Sequence, residues 1–124
     1  MTTRGLILVL LSAGITVASN LMLRSGIDLA GGFPDNFNEL PSALLRLAKQ
    51  PLFDLGLVFY AIAALIWFRI VASEPLSTAY PLLVSLTFIL VTLGATILFN
   101  ESLSWRKLVG LAIILMGIFI ISRD

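Results

Sequence analysis

Cysteine and histidine are both missing from this chain, and charge is scarce: 12% of the residues are Asp, Glu, Lys or Arg, with a formal net charge of +1. Without cysteine there is no disulfide and no thiolate metal site. Without histidine the usual general base, the near-neutral pH switch and the commonest metal ligand are gone. A net charge of +1 supplies no basic field for nucleic acid. No glycine-rich phosphate loop, nucleophile elbow or pair of acids at helical spacing occurs. The expectation is a protein that is not an enzyme, with no cofactor and no metal. So little charge also argues against a soluble domain, which needs a polar surface.

What is present is apolar. Of the 124 residues, 59% are hydrophobic, and mean hydropathy is +1.05. The apolar residues fall in runs of about 20, the length that spans a bilayer as helix. They do not alternate with polar residues, as strands of a membrane barrel would. The fold class is therefore an all-α membrane protein. Its four transmembrane helices are expected at residues 5–23, 52–72, 79–99 and 108–122, forming one domain. The first run follows Arg4 and precedes Val17-Ala18-Ser19, a passable signal-peptide cleavage site. The expectation is that it stays as a helix.

Along span one, Ser12, Gly14, Thr16, Ala18, Ser19 and Asn20 form a small and polar face. Small residues let membrane helices approach closely. Thr16 and Asn20, one turn apart, read alternatively as the wall of a polar cavity. The 24–51 connection turns at Gly31-Gly32-Phe33-Pro34-Asp35. It then carries Phe37, Leu40, Leu44, Leu45 and Leu47, the pattern of a short interfacial helix with Pro41 in its first turn. Arg69, near the end of span two, reads either as a snorkelling cation or as a bidentate phosphate ligand. Trp67 reads as an interface anchor. Glu74 sits in a tight turn before Pro75, and Pro81 falls near the first turn of span three.

Ser85, Thr87, Thr92 and Thr96 are expected to bond helix carbonyls or neighbours. Ser104 is a suitable N-cap for span four, and Glu101 is placed to cap or to pair with Arg106 or Lys107. Gly110 and Gly117 lie on one face of span four, where a dimer contact is favoured. Arg24, Arg46, Lys49, Arg106 and Lys107 fall on one side of the membrane, and Arg4, Arg69 and Arg123 on the other. Read by the positive-inside rule, both termini lie outside.

From Pro75 to Ile121 the chain resembles the drug/metabolite transporter superfamily. The features are the proline hinge, Ala79-Tyr80, a long span, the acidic turn Asn100-Glu101-Ser102-Leu103-Ser104, and a glycine-spaced last helix ending in isoleucines. Four spans in so short a chain resemble the small multidrug resistance-like branch, whose last helix dimerises through glycines spaced like Gly110 and Gly117. Exporters of that branch carry a glutamate in span one, where Thr16 stands here, and a tryptophan where Leu83 stands. Ala79-Tyr80-Pro81 and the run from Leu86 to Leu93 instead resemble the flippase subunits that move aminoarabinose–phosphoundecaprenol.

That resemblance implies a multi-pass protein of the bacterial inner membrane that translocates a polyprenyl-phosphate-linked sugar. It would work among membrane lipid as a homodimer, or as a heterodimer with a similar small membrane subunit. For such a substrate Arg24 and Arg69 are candidate phosphate ligands, and Asn20, Glu74 and Tyr80 candidate sugar contacts. Two alternatives stand beside it. One is an exporter of small cationic or polar molecules that uses Glu74 or no proton coupling. The other is an assembly subunit that transports nothing itself.

Overall fold

The computed structural model describes residues 2–123. It is a helical bundle of α1 (Thr3–Leu29), α2 (Leu40–Ala48), α3 (Pro51–Ser73), α4 (Leu76–Leu98) and α5 (Trp105–Ser122), with a 3₁₀ turn at Phe37–Glu39. All but α2 are long and apolar enough to cross a membrane. Their outward faces expose Ile7, Leu65, Phe88, Ile97, Met116 and Ile120 among many others. Water would not tolerate so continuous an apolar surface, whereas lipid does. Two ends can be distinguished. The termini end holds Thr2, the 74–75 turn and Arg123. The loop end holds the 30–50 connection and the 99–104 turn.

Helix α1 runs six residues past its expected end at Leu23. Local chemistry explains the extension. Arg24 pairs with Asp28 one turn on, at 3.4 Å. The helix stops only where Gly31 and Gly32 take φ of 97° and 92°. There the Gly31 N–H meets the Asp28 carbonyl (3.3 Å) and the Gly32 N–H the Ile27 carbonyl (2.8 Å), a Schellman closure that needs left-handed backbone. A helix of 27 residues is about 40 Å long, against about 30 Å of hydrocarbon.

The α1–α3 seam organises the bundle. Gly5, Ser12, Ser19 and Gly26 recur every seventh residue along α1 and are all buried. Gly56, Ala63 and Ile70 do the same along α3. A seven-residue spacing keeps one face turned toward a partner over successive turns. The Ser12 hydroxyl donates to the Ala63 carbonyl (3.3 Å) and the Ser19 hydroxyl to the Gly56 carbonyl (2.7 Å). The two bonds fix one antiparallel register. At the loop end of the seam, a Cβ on Gly26 would fall within 2.8 Å of the Phe53 backbone, so the helices touch there backbone to backbone.

Helix α4 packs on the other side of α1. Val9, Ile70, Ala79 and Leu82 form a buried cluster at the termini end, which Ile118 and Ile121 of α5 also reach. Pro81 lies inside α4, in its second turn rather than near its first. Its ring leaves the Ser77 carbonyl without a helical donor. Helix α5, capped by Ser104 through the Lys107 N–H (3.3 Å), packs mainly on α4 and buries only Leu111. Nothing lies within 4 Å of a Cβ built on Gly110 or Gly117. Helix α2 seats Ala43 and Leu47 and leaves Phe37, Leu44 and Leu45 exposed around it.

Candidate functional site

Where α1, α3 and α4 diverge, they leave an open lateral cavity of about 430 Å³ within the spanning region. Helix α1 contributes Thr16 and Asn20, α3 contributes Trp67, and α4 contributes Tyr80, Leu83, Val84, Thr87, Phe88 and Val91. A smaller cavity of about 200 Å³ adjoins it, sharing Thr16, Trp67 and Leu83 and adding Ser12 and Tyr60. The α1 residues reach it because they sit on the helix flank beside the α1–α3 seam. Trp67 lies on the same α3 face as Tyr60 and Ala63, at offsets of seven and four. Its ring meets that of Tyr80 at a centroid distance of 5.7 Å and a tilt of 58°, within the favourable range for an aromatic pair.

The polar groups of this cavity are not used up by the fold. Among the described residues, the side chains of Thr16, Asn20, Tyr80 and Thr87 form no hydrogen bond. Thr92 and Thr96 behave otherwise, bonding back to the Phe88 and Thr92 carbonyls at 2.8 Å each. Thr87 thus departs from the expectation that the α4 hydroxyls satisfy themselves on the helix, because it faces the cavity. Trp67, expected as an interface anchor, lines the same cavity. Asn20 and Tyr80, both candidates from the sequence, meet in this one cavity.

The other candidates lie elsewhere. At the termini end, Thr2 donates to Glu74 through both its hydroxyl (2.5 Å) and its backbone N–H (3.3 Å). The same hydroxyl accepts from the Gly5 N–H (3.0 Å), capping α1. The Thr2 hydroxyl holds the Glu74 carboxyl below the ordinary carboxylate range. At the loop end, Arg24 reaches Glu101 at 3.5 Å as well as Asp28, and its guanidinium lies 5.2 Å from the Phe99 ring centre. Glu101 therefore pairs with Arg24, not with Arg106 or Lys107. Arg69 is exposed on α3 and has no ion pair among the described residues. Arg24, Arg69 and Glu74 do not line the cavity that holds Asn20 and Tyr80.

Four membrane-length helices, three of them bordering a lateral cavity of free hydroxyl, amide and phenol groups, define a small transporter-like membrane protein. No protein-family model matches the chain, and no solved structure does. Curated relatives do. The chain is 39% identical over 124 residues to the probable 4-amino-4-deoxy-L-arabinose-phosphoundecaprenol flippase subunit ArnF of Erwinia tasmaniensis, covering 94% of this chain and 93% of the relative. It is 34% identical over 130 residues to the ArnF of Shewanella sediminis, covering 98% and 89%. Against the ArnE subunit of Escherichia fergusonii it is 43% identical over 103 residues, covering 82% and 92%. The chain belongs to the ArnE/ArnF family of flippase subunits, and is a multi-pass protein of the bacterial inner membrane.

Proposed function

We propose that this chain moves a polyprenyl-phosphate-linked sugar across the inner membrane, as one subunit of a pair of small membrane proteins, and that the sugar is 4-amino-4-deoxy-L-arabinose. The observation that carries this reading is the cavity between α1, α3 and α4. A sugar hydroxyl taken into hydrocarbon without a partner costs several kcal/mol, on the order of 2–7 each. Asn20, Thr16, Thr87 and Tyr80 present donors and acceptors that the fold has left open. The paired rings of Trp67 and Tyr80 offer a face for the apolar side of a sugar ring. A volume of about 430 Å³ falls in the range of small-molecule sites, roughly 300–1,000 Å³. The polyprenyl tail stays in lipid. The relatives are named as flippase subunits, and we read this chain likewise as a transporter and not an enzyme.

The test is lipid mass spectrometry on protein purified in gentle detergent, wild type against Asn20→Leu. Polyprenyl-phosphate sugar is expected to accompany the wild type and to be depleted from the variant. Ordinary phospholipid alone, in both, would sink the reading.

A further inference from the structure

Helix α5 buries Leu111, and its Ile118 and Ile121 pack against the core at the termini end. Toward the loop end, α4 and α5 border a groove of about 360 Å³. Its walls are mainly apolar, with Phe88, Val91 and Ala95 from α4 and Ile114 from α5, and with the hydroxyl of Thr92, which bonds back to its own helix. Its mouth carries Glu101, Arg106 and Lys107. The acid there is already engaged by Arg24, at 3.5 Å. The Lys107 ammonium makes one bond, to the Ser102 carbonyl at 3.1 Å, and keeps two further donors. Arg106 has no ion pair among the described residues.

An apolar trough ending in two cations is complementary to an amphiphile with an anionic head, and a phosphate at a membrane surface binds arginine and lysine well. Phe88 and Val91 line both the groove and the Asn20–Tyr80 cavity, so the two spaces are neighbours separated by these side chains on a single turn of α4. From Phe88 to the end of α4 at Leu98 is about 15 Å along the axis, the path from the mouth inward.

We propose that the α4–α5 groove is the loading site for the lipid phosphate. Arg106 and Lys107 bind the phosphodiester, the trough takes the first prenyl units, and the sugar passes over Phe88 and Val91 into the Asn20–Tyr80 cavity. The inference rests on the reading of the substrate as a polyprenyl phosphate and assigns its phosphate to side chains outside the sugar cavity.

Native mass spectrometry of the full chain, with undecaprenyl phosphate, undecaprenol or inorganic phosphate added, tests it. Arg106→Gln/Lys107→Gln is expected to weaken undecaprenyl phosphate binding by about tenfold or more, the loss of charge-assisted bonds. Arg106→Lys/Lys107→Arg and Arg69→Gln are expected to retain it, and undecaprenol to bind the wild type and the double glutamine variant alike.

Full binding by the double glutamine variant, or loss on Arg69→Gln instead, overturns the site and leaves the flippase reading standing. Competition by millimolar inorganic phosphate overturns it in favour of a free anion. A changed oligomeric state with lipid binding intact overturns it in favour of a protein partner in the groove. Failure of the wild type to bind undecaprenyl phosphate at all removes the flippase reading as well.

Discussion

Gly26 and Ser19 show how little room α1 and α3 leave each other. A methyl on Gly26 would strike the Phe53 backbone, which cannot rotate away. Gly26→Ala should therefore destabilise the protein by about 1–3 kcal/mol, as overpacking does. Gly14→Ala, whose new methyl would meet nothing, should have little effect. Thermal unfolding in detergent compares the two. Ser19→Ala removes one interhelical hydrogen bond, and a loss of about 0.6–1.7 kcal/mol is expected from bonds of this kind in membranes; the same melts read it. Glu74 gives a pH signature. Its folded pKa is lowered by Thr2, so its contribution is present above the unfolded value of about 4.3. That contribution is lost as pH falls through the lower folded value. Amide exchange at Thr3 to Leu6 should rise as the pH drops below that range in the wild type, and the step should vanish in Glu74→Gln.

At the scale of the element, the four spans were legible because an uncharged run of about 20 residues has few other places to go. Their ends were less so. The extension of α1 to Leu29 depends on an Arg24–Asp28 pair and on a glycine closure that hydropathy does not register. The sevenfold repeat of Gly5, Ser12, Ser19 and Gly26 was present in the sequence, but it becomes a seam only when matched with Gly56 and Ala63. Half of the cavity was readable. Asn20 and Tyr80 stood out as polar groups in apolar spans, and Thr16 shares a face with Asn20. Trp67 and Thr87 did not stand out, since a tryptophan near a span end and a helical threonine each have a commoner role. The pairs Thr2–Glu74 and Arg24–Glu101 join residues more than 70 positions apart, and local pattern carries no trace of them.

At the scale of the whole molecule, α5 is the unfinished part. A methyl on Gly117 would meet nothing in this chain, and the family consists of named subunits. A partner subunit is expected to seat beside Gly117. Gly117→Leu should leave the helical content and the α1–α3 seam intact while abolishing subunit association, as read by cross-linking or native mass. Gly110 is a poorer probe, because it also lines the α4–α5 groove and a leucine there would fill the trough.

The hydroxyl bonds from Ser12 and Ser19 have a mechanical corollary. They sit two turns apart in one register, so sliding α3 along α1 by a turn would break both together and drive Gly26 against the Phe53 backbone. The seam resists small strokes and gives no graded motion. Helices α4 and α5 take part in neither bond, so a movement of that pair is expected to leave the seam intact.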